Sequence, residues 1–230
     1  MSFGMVSASY LALVPGMFRW NFPNGAHNEA LTAPLAGADT TNFAGGTATL
    51  SNTQVLAGMN TLSAHFALTA SGHLWYAKEG LSATSYAYDF YVYIATRVGA
   101  NVYIGWAGAS SSTRSLGIVI GDQNNVVFND GAGSIYSSSN EAFPDNTWIR
   151  FSVFGTCGAG TGTGQLAWYA GHSTTPMGDT GLLTNLNTQT SIDRIRIGGK
   201  AATSAVTTGE LYIGSWAYDT AATGLIAPYS

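Results

Sequence analysis

The chain has 230 residues, of which 46 % are hydrophobic and 12 % aromatic, enough for one domain with a sizeable core. Only 9 % are charged, against roughly 25 % in ordinary globular proteins. The apolar content excludes disorder. The net charge of −4, with two lysines and six arginines scattered along the chain, excludes nucleic-acid binding and attachment to an anionic membrane, both of which need clustered positive charge.

Residues 1–17 are apolar, but the first basic side chain is Arg19, and Pro15-Gly16 interrupts the run. A secretory signal would open with a basic region, so this segment reads as an N-terminal arm, with the domain over 18–230. The arm is expected either on a neighbouring subunit or folded back on its own domain. No apolar run reaches the roughly 18 residues of a membrane span.

A first strand is expected at 18–22. Residues 24–60 read as loops with one strand at 47–51. Strands at 63–69 and 73–79 flank Ser71-Gly72, which is hairpin chemistry. Over 87–95, Tyr88, Phe90, Val92 and Ile94 alternate with Asp89, Tyr91 and Tyr93, so the two sets take opposite faces of a strand. Strands follow at 102–107, 116–120 and 126–129, the last two joined by a Gln123-Asn124-Asn125 turn. At 148–154, Ile149, Phe151 and Val153 oppose Arg150 and Ser152. The Gly/Thr-rich stretch 155–164 reads as a loop, and strands close the chain at 165–170, 192–198 and 211–218. In the last of these, Leu211 and Ile213 oppose Tyr212, Trp216 and Tyr218. About a dozen short strands with regular turn signals and no helical periodicity give an all-β sandwich or barrel.

Chemistry-bearing clusters are sparse. Cys157 is the sole cysteine, in a Gly-rich setting, so no internal disulfide can form and the chain could fold in a reducing cytoplasm. His65 and His73 sit across a turn and are not expected to share a metal, and His27 and His172 read as structural or solvent-facing. No Gly-x-Ser-x-Gly nucleophile elbow occurs. Gly158–Gly162 precedes a strand rather than a helix, which excludes a phosphate loop.

The order Trp148-Ile149-Arg150-Phe151, a hairpin strand, Ile192-Asp193-Arg194-Ile195-Arg196-Ile197-Gly198 and Gly209-Glu210-Leu211-Tyr212-Ile213-Gly214 resembles the closing half of concanavalin A-like (laminin-G-like) jelly-roll domains. It looks most like the versions found in tailed-phage virion proteins. The resemblance implies a concanavalin A-like jelly-roll β-sandwich behind the N-terminal arm. It implies a non-enzymatic structural protein of the virion, made in the host cytoplasm, with capsid-surface decoration ahead of a tail role. Its expected partners are a major capsid or tail protein and further copies of itself.

Glycoside hydrolases of this fold class carry a Glu-x-Asp-x-(x)-Glu strand. The four glutamates here are Glu29, Glu79, Glu141 and Glu210, and only Glu141 has a close carboxylate, Asp145, across Phe143-Pro144. A catalytic pair is therefore not expected.

The alternative function is a lectin-like adhesion module for a host surface glycan. Tyr91, Tyr93, Trp106, Trp168 and Trp216 are the candidates, either stacking on sugar rings or packing at a subunit interface. This alternative expects a tryptophan such as Trp168 or Trp216 to lie exposed in a groove. No cofactor is expected. Relatives that hold Ca²⁺ through oxygen donors point to Asp122, Asn124, Asn125, Asn129 and Asp130, with turn formation as the competing reason for these residues.

Overall fold

A computed structural model describes residues 17–21, 28, 30–31, 40–58, 62–96, 101–110, 113–121, 125–138, 143–201 and 209–227. The expected arm over 1–17 lies outside them except for Met17. Among the described residues there are fourteen strands and no helix. They are β1 (Met17–Asn21), β2 (Thr40–Ser51), β3 (Ser63–Lys78), β4 (Ser85–Thr96), β5 (Val102–Gly108), β6 (Arg114–Ile120) and β7 (Val126–Asn129), followed by β8 (Ser134–Ser137), β9 (Trp148–Thr156), β10 (Ala159–Ala170), β11 (Gly178–Asp179), β12 (Leu183–Asn187), β13 (Arg194–Ala201) and β14 (Gly209–Asp219). Every pairing is antiparallel.

The strands form two sheets that share one long hairpin. The first sheet runs β10–β9–β4–β14–β3, with β11 and β12 beyond β10 and β1 beside the far half of β14. The second runs β8–β7–β6–β5–β13–β3. Strand β3 belongs to both, because Ala64–Leu68 pair with β14 while His73–Lys78 pair with β13. Its partner β2 follows both halves, with a register break between Ala44 and Gly46. The chain is an all-β sandwich of two antiparallel sheets, as expected of a jelly roll.

This explains one correction. Residues 63–69 and 73–79 are not two strands around a Ser71-Gly72 hairpin but one 16-residue strand. Because β2 pairs with both halves, the turn residues bend the strand from one sheet into the other instead of reversing it. A second correction concerns 155–164, which is mostly paired strand from β9 and β10. Its glycines are set by space: a Cβ on Gly155 would stand 2.6 Å from Leu116 Cδ1 and 2.8 Å from the Tyr86 ring.

Between the sheets lie Phe66, Tyr76, Tyr88, Phe90, Val92, Ile104, Leu116, Ile118, Phe128, Phe151, Val153, Ile195, Ile197, Leu211 and Ile213. The alternation expected for β4 and β9 holds, with Tyr88, Phe90, Val92 and Ile94 and with Ile149, Phe151 and Val153 facing inward. Contact across the sandwich is tight enough that a Cβ on Gly105 of β5 would lie 2.7 Å from the Phe90 ring of β4. Tyr86 Oη donates to Ser115 Oγ at 3.1 Å across the same space.

Strand β14 breaks its own alternation. Leu211 and Ile213 pair with Ile94 and Val92, but Trp216 pairs with Phe90, so Gly214-Ser215 insert one extra residue. Such a bulge moves every later side chain to the opposite face. Trp216 and Tyr218 therefore point into the core beside Leu211, while Ala217 points out. The expectation that Trp216 and Tyr218 share a face with Tyr212 is corrected accordingly.

A candidate glycan-binding strip on the outer face of the first sheet

Away from the core, the first sheet aligns one residue from each of five adjacent strands. Thr49, His65, Tyr212, Tyr93 and Trp148 are register partners across β2, β3, β14, β4 and β9. Four of them carry rings that touch in sequence. His65 stacks on Tyr212 at 4.5 Å and 13°, Tyr212 meets Tyr93 edge-on at 6.1 Å, and Tyr93 tilts against Trp148 at 5.6 Å. These are the separations at which rings attract through complementary faces and edges. His65, Tyr93 and Trp148 remain half-buried, while Tyr212 between them is buried, so the row meets solvent on either side of Tyr212.

Polar groups end the row on both sides. Glu210, on β14, lies 3.8 Å from His65 Nε2. Tyr93 Oη donates to Asn146 Oδ1 at 3.5 Å at the other end. Burial lowers the pKa of His65 below 6.5, outweighing the opposing pull of Glu210. Burial, with Glu210 and Tyr93 adding to it, raises that of Tyr212. Both residues are thus neutral at pH 7 and present rings rather than charges.

The bulge also shapes this face. A Cβ on Gly214 would stand 3.1 Å from the Trp148 ring, so glycine lets the indole lie against the backbone of β14. Leu56 closes in from the loop between β2 and β3, and Ala57 of that loop accepts a hydrogen bond from His172 Nε2 at 2.8 Å. His172 in turn tilts against Tyr91, whose hydroxyl lies 3.4 Å from Nδ1. Two residues along the strands, Tyr91, Arg150 and Tyr169 form a second row, with the guanidinium 4.1 Å above the Tyr169 ring.

The outer face of the second sheet is built differently. Ala77, Arg196, Trp106, Gly117 and Asn129 are register partners across β3, β13, β5, β6 and β7. Arg196 lies 3.9 Å over Trp75 and 5.5 Å from Trp106, and Arg114 lies 4.3 Å over Tyr103. Burial, with Arg194 nearby, pushes Arg196 down to about 10, against the pull of Glu79. Glu79 binds Arg194 at 2.9 Å, and Asn129 Nδ2 donates to Tyr103 Oη at 3.1 Å. These rings are already capped by cations.

The five aromatics singled out from sequence therefore separate. Tyr93 sits in the half-open row. Tyr91 is on the same face but fully buried, and Trp106 is buried on the face of the other sheet. Trp168 and Trp216, at 2 % and 1 % exposure, belong to the core between the sheets, which removes them from any groove and from any interface. Trp168 packs there against Tyr136, on a strand too short and polar to be read from sequence.

His65, Tyr212 and Trp148 were not singled out. Parity along each strand placed Tyr212 and Trp148 on outward faces, but only cross-strand register brings them beside Tyr93.

Of the Ca²⁺ candidates, Asp122 and Asn124 lie outside the described residues. Asp130 Oδ1 accepts from the N–H of Ala132 at 2.8 Å and of Gly133 at 3.0 Å, and Oδ2 from that of Asn187 at 2.8 Å. Asn125 donates to Ser137 Oγ. Among the described residues no group of three His, Cys, Asp or Glu side chains converges. Glu29 and Glu141 lie outside the described residues, as does the side chain of His73. Cys157 Sγ donates to Ala83 O at 3.6 Å, and burial pushes its thiol up to about 11.

No protein-family model matches the chain, and no curated protein does. Solved structures do. A structure of Trypanosoma rangeli sialidase in complex with sialic acid matches with a TM-score of 0.54 and 11 % identity, covering 90 % of this chain and 31 % of that one. A mutant of the same sialidase displaying trans-sialidase activity matches with a TM-score of 0.53 and 11 % identity, over 89 % and 31 %. Lectin UEA-II complexed with galactose is similar over 88 % of this chain and 97 % of that one, at 8 % identity and a TM-score of 0.46. The chain spans about a third of the length of the sialidases it matches. Identities this low show the fold alone. One expectation is corrected: structures of an enzyme share this fold at TM-scores above 0.5, so the expectation of a non-enzymatic protein is not upheld.

Proposed function

We propose that this chain is a glycan-recognition β-sandwich that seats a saccharide along the row His65–Tyr212–Tyr93–Trp148. The observation that carries this reading is the row itself: four rings in register on adjacent strands, three of them half-buried and Tyr212 buried between them, with hydrogen-bonding groups at both ends. A pyranose has one face of C–H groups, which suits the electron-rich face of an aromatic ring, and hydroxyls at its rim, which suit Glu210 and Asn146. The likeness to sialidases in complex with sialic acid supports a role in glycan recognition or processing. The test is calorimetric titration of the chain and of Trp148→Ala with oligosaccharides. Saturable binding that weakens about tenfold or more in Trp148→Ala, roughly 1.4 kcal/mol, supports the reading. Absence of binding across neutral and acidic glycans overturns it.

A second reading is that the chain is a phage virion component, a capsid-surface decoration or tail-associated protein that self-assembles and meets its glycan on the host. Its supports are the 9 % charged composition and the closing-strand resemblance. Light scattering at several concentrations tests it. A stable trimer or larger assembly favours this reading, and a monomer at all concentrations counts against it.

A further inference from the structure

Beside the aromatic row lies a group whose hydrogen-bonding capacity is unused. Arg150 has no exposed surface, and its Nε, Nη1 and Nη2 make no hydrogen bond. Its one contact of note is the Tyr169 ring beneath it. Ser152, two residues along the same face of β9, is equally buried, and its Oγ also lacks a hydrogen bond. Asp89 pairs in register with Ser152, yet no ion pair joins it to Arg150 among the described residues.

A guanidinium is always charged and offers five donors in a fork that matches a carboxylate. Left without acceptors in a desolvated place, it has a large unmet demand for an anion. Compare Arg194 on the other sheet, which is less buried and bonded to two carboxylates at 2.9 and 2.8 Å.

We propose that Arg150, with Ser152, is a carboxylate subsite next to the saccharide strip, so that the ligand is an acidic sugar, of the sialic or uronic class. This rests on the glycan reading above. The spacing fits: Tyr91–Arg150–Tyr169 is displaced two residues along the strands from Tyr93–Trp148, about 7 Å, close to the width of one sugar ring. A pyranose over Tyr93 and Trp148 directs a ring carboxylate toward the fork of Arg150, with Ser152 as a further donor.

Because the guanidinium is sealed in this structure, entry requires the adjoining layer to open. Two described segments lie on this face of the sheet: the loop over 52–58, beside Gly214 and His172, and the C-terminal residues Ala222 and Ile226, packed on Ala87 and Phe154. The loop over 52–58 is held by the hydrogen bond from His172 Nε2 to Ala57 O and by Leu56 against Gly214, and Gly58 within it has a φ of 83°, a conformation that favours glycine.

The test compares four probes on the full chain: lactose, 3′-sialyllactose, the methyl ester of 3′-sialyllactose, and tri-galacturonate. The expected result is at least tenfold tighter binding of one of the two acidic probes than of lactose; where that probe is sialyllactose, its ester falls back to the lactose level. Which of the two binds tighter identifies the class of acidic sugar. Equal binding of lactose and both acidic probes overturns the carboxylate subsite while leaving the saccharide strip standing. Binding of none overturns both.

The variant Arg150→Met, checked for folding by circular dichroism, should lose the acidic preference but keep lactose binding. Should it fail to fold, Arg150→Lys, which keeps the charge and loses the fork, should reduce the preference severalfold. An unchanged preference in a folded variant overturns the assignment. His172→Ala should quicken association of the preferred acidic probe, and an unaltered rate overturns the entry route.

Discussion

The two outer faces of the sandwich are both paved with aromatic rings, yet they differ in what the rings meet. On the second sheet, Arg196 fills the space over Trp75 and beside Trp106, Arg114 covers Tyr103, and Glu79 answers the arginines. On the first sheet, the rings of Tyr93 and Trp148 are half-open, while Arg150 lacks any hydrogen-bond acceptor. Aromatic content therefore does not identify a binding face. What distinguishes it is whether the surface has already satisfied itself. The second face is internally paired and buttresses the sheet, whereas the first has unused π-surface and unused donors in adjacent rows.

This contrast can be broken most forcefully on the second face. Replacing Trp106 by Ala should cost about 3–5 kcal/mol, because a nearly inaccessible indole leaves a cavity and an uncovered Arg196. Urea unfolding measures it, and glycan affinity of the remaining folded protein should be unchanged. A stability loss under 1 kcal/mol would mean that this face is not a buttress.

On the first face the order reverses. Trp148→Ala should leave the midpoint of thermal unfolding within a few degrees, since the indole is only half-buried, but should weaken glycan binding about tenfold, read by calorimetric titration. Gly214→Val should act in the same direction and less strongly, because its side chain would push the Trp148 ring off the bulge.

The smallest effect is the pH response. The folded chain holds His65 more neutral than the unfolded chain does. Below about 6.5 the unfolded state binds the proton first, so stability should fall as the pH drops from 6.5 to the lowered pKa of His65, and level off beneath it. In His65→Phe that part of the pH dependence should vanish from a series of urea titrations between pH 5 and 7.5.

How far these features could be read in advance depended on the range of the information. Alternation within one strand is local, and it placed the inward and outward residues of β4 and β9 correctly. It failed in β14, because the extra residue at Gly214-Ser215 is visible only when β14 is aligned on β4. Ser71-Gly72 is equally suited to a hairpin and to a bend, and the length of β2 decides between them. The Gly-rich 155–164 stretch looks like a loop until Leu116 and Tyr86 are seen to occupy the space of its side chains. The short strands β8, β11 and β12 carry too few apolar residues to show any period.

The candidate site was legible in one residue, Tyr93. His65, Tyr212 and Trp148 join it only through the order β3–β14–β4–β9, a long-range property of the fold. Trp168 and Trp216 misled because tryptophan suits a sugar platform and a sandwich core equally well.

The most direct test of the account is a glycan array probed side by side with the wild-type chain, Trp148→Ala and Trp106→Phe. The account predicts that the wild type and Trp106→Phe bind the same saccharides, while Trp148→Ala loses them. Equal loss in both variants, or no saccharide bound by the wild type, would contradict the assignment of the first sheet's outer face as the binding surface.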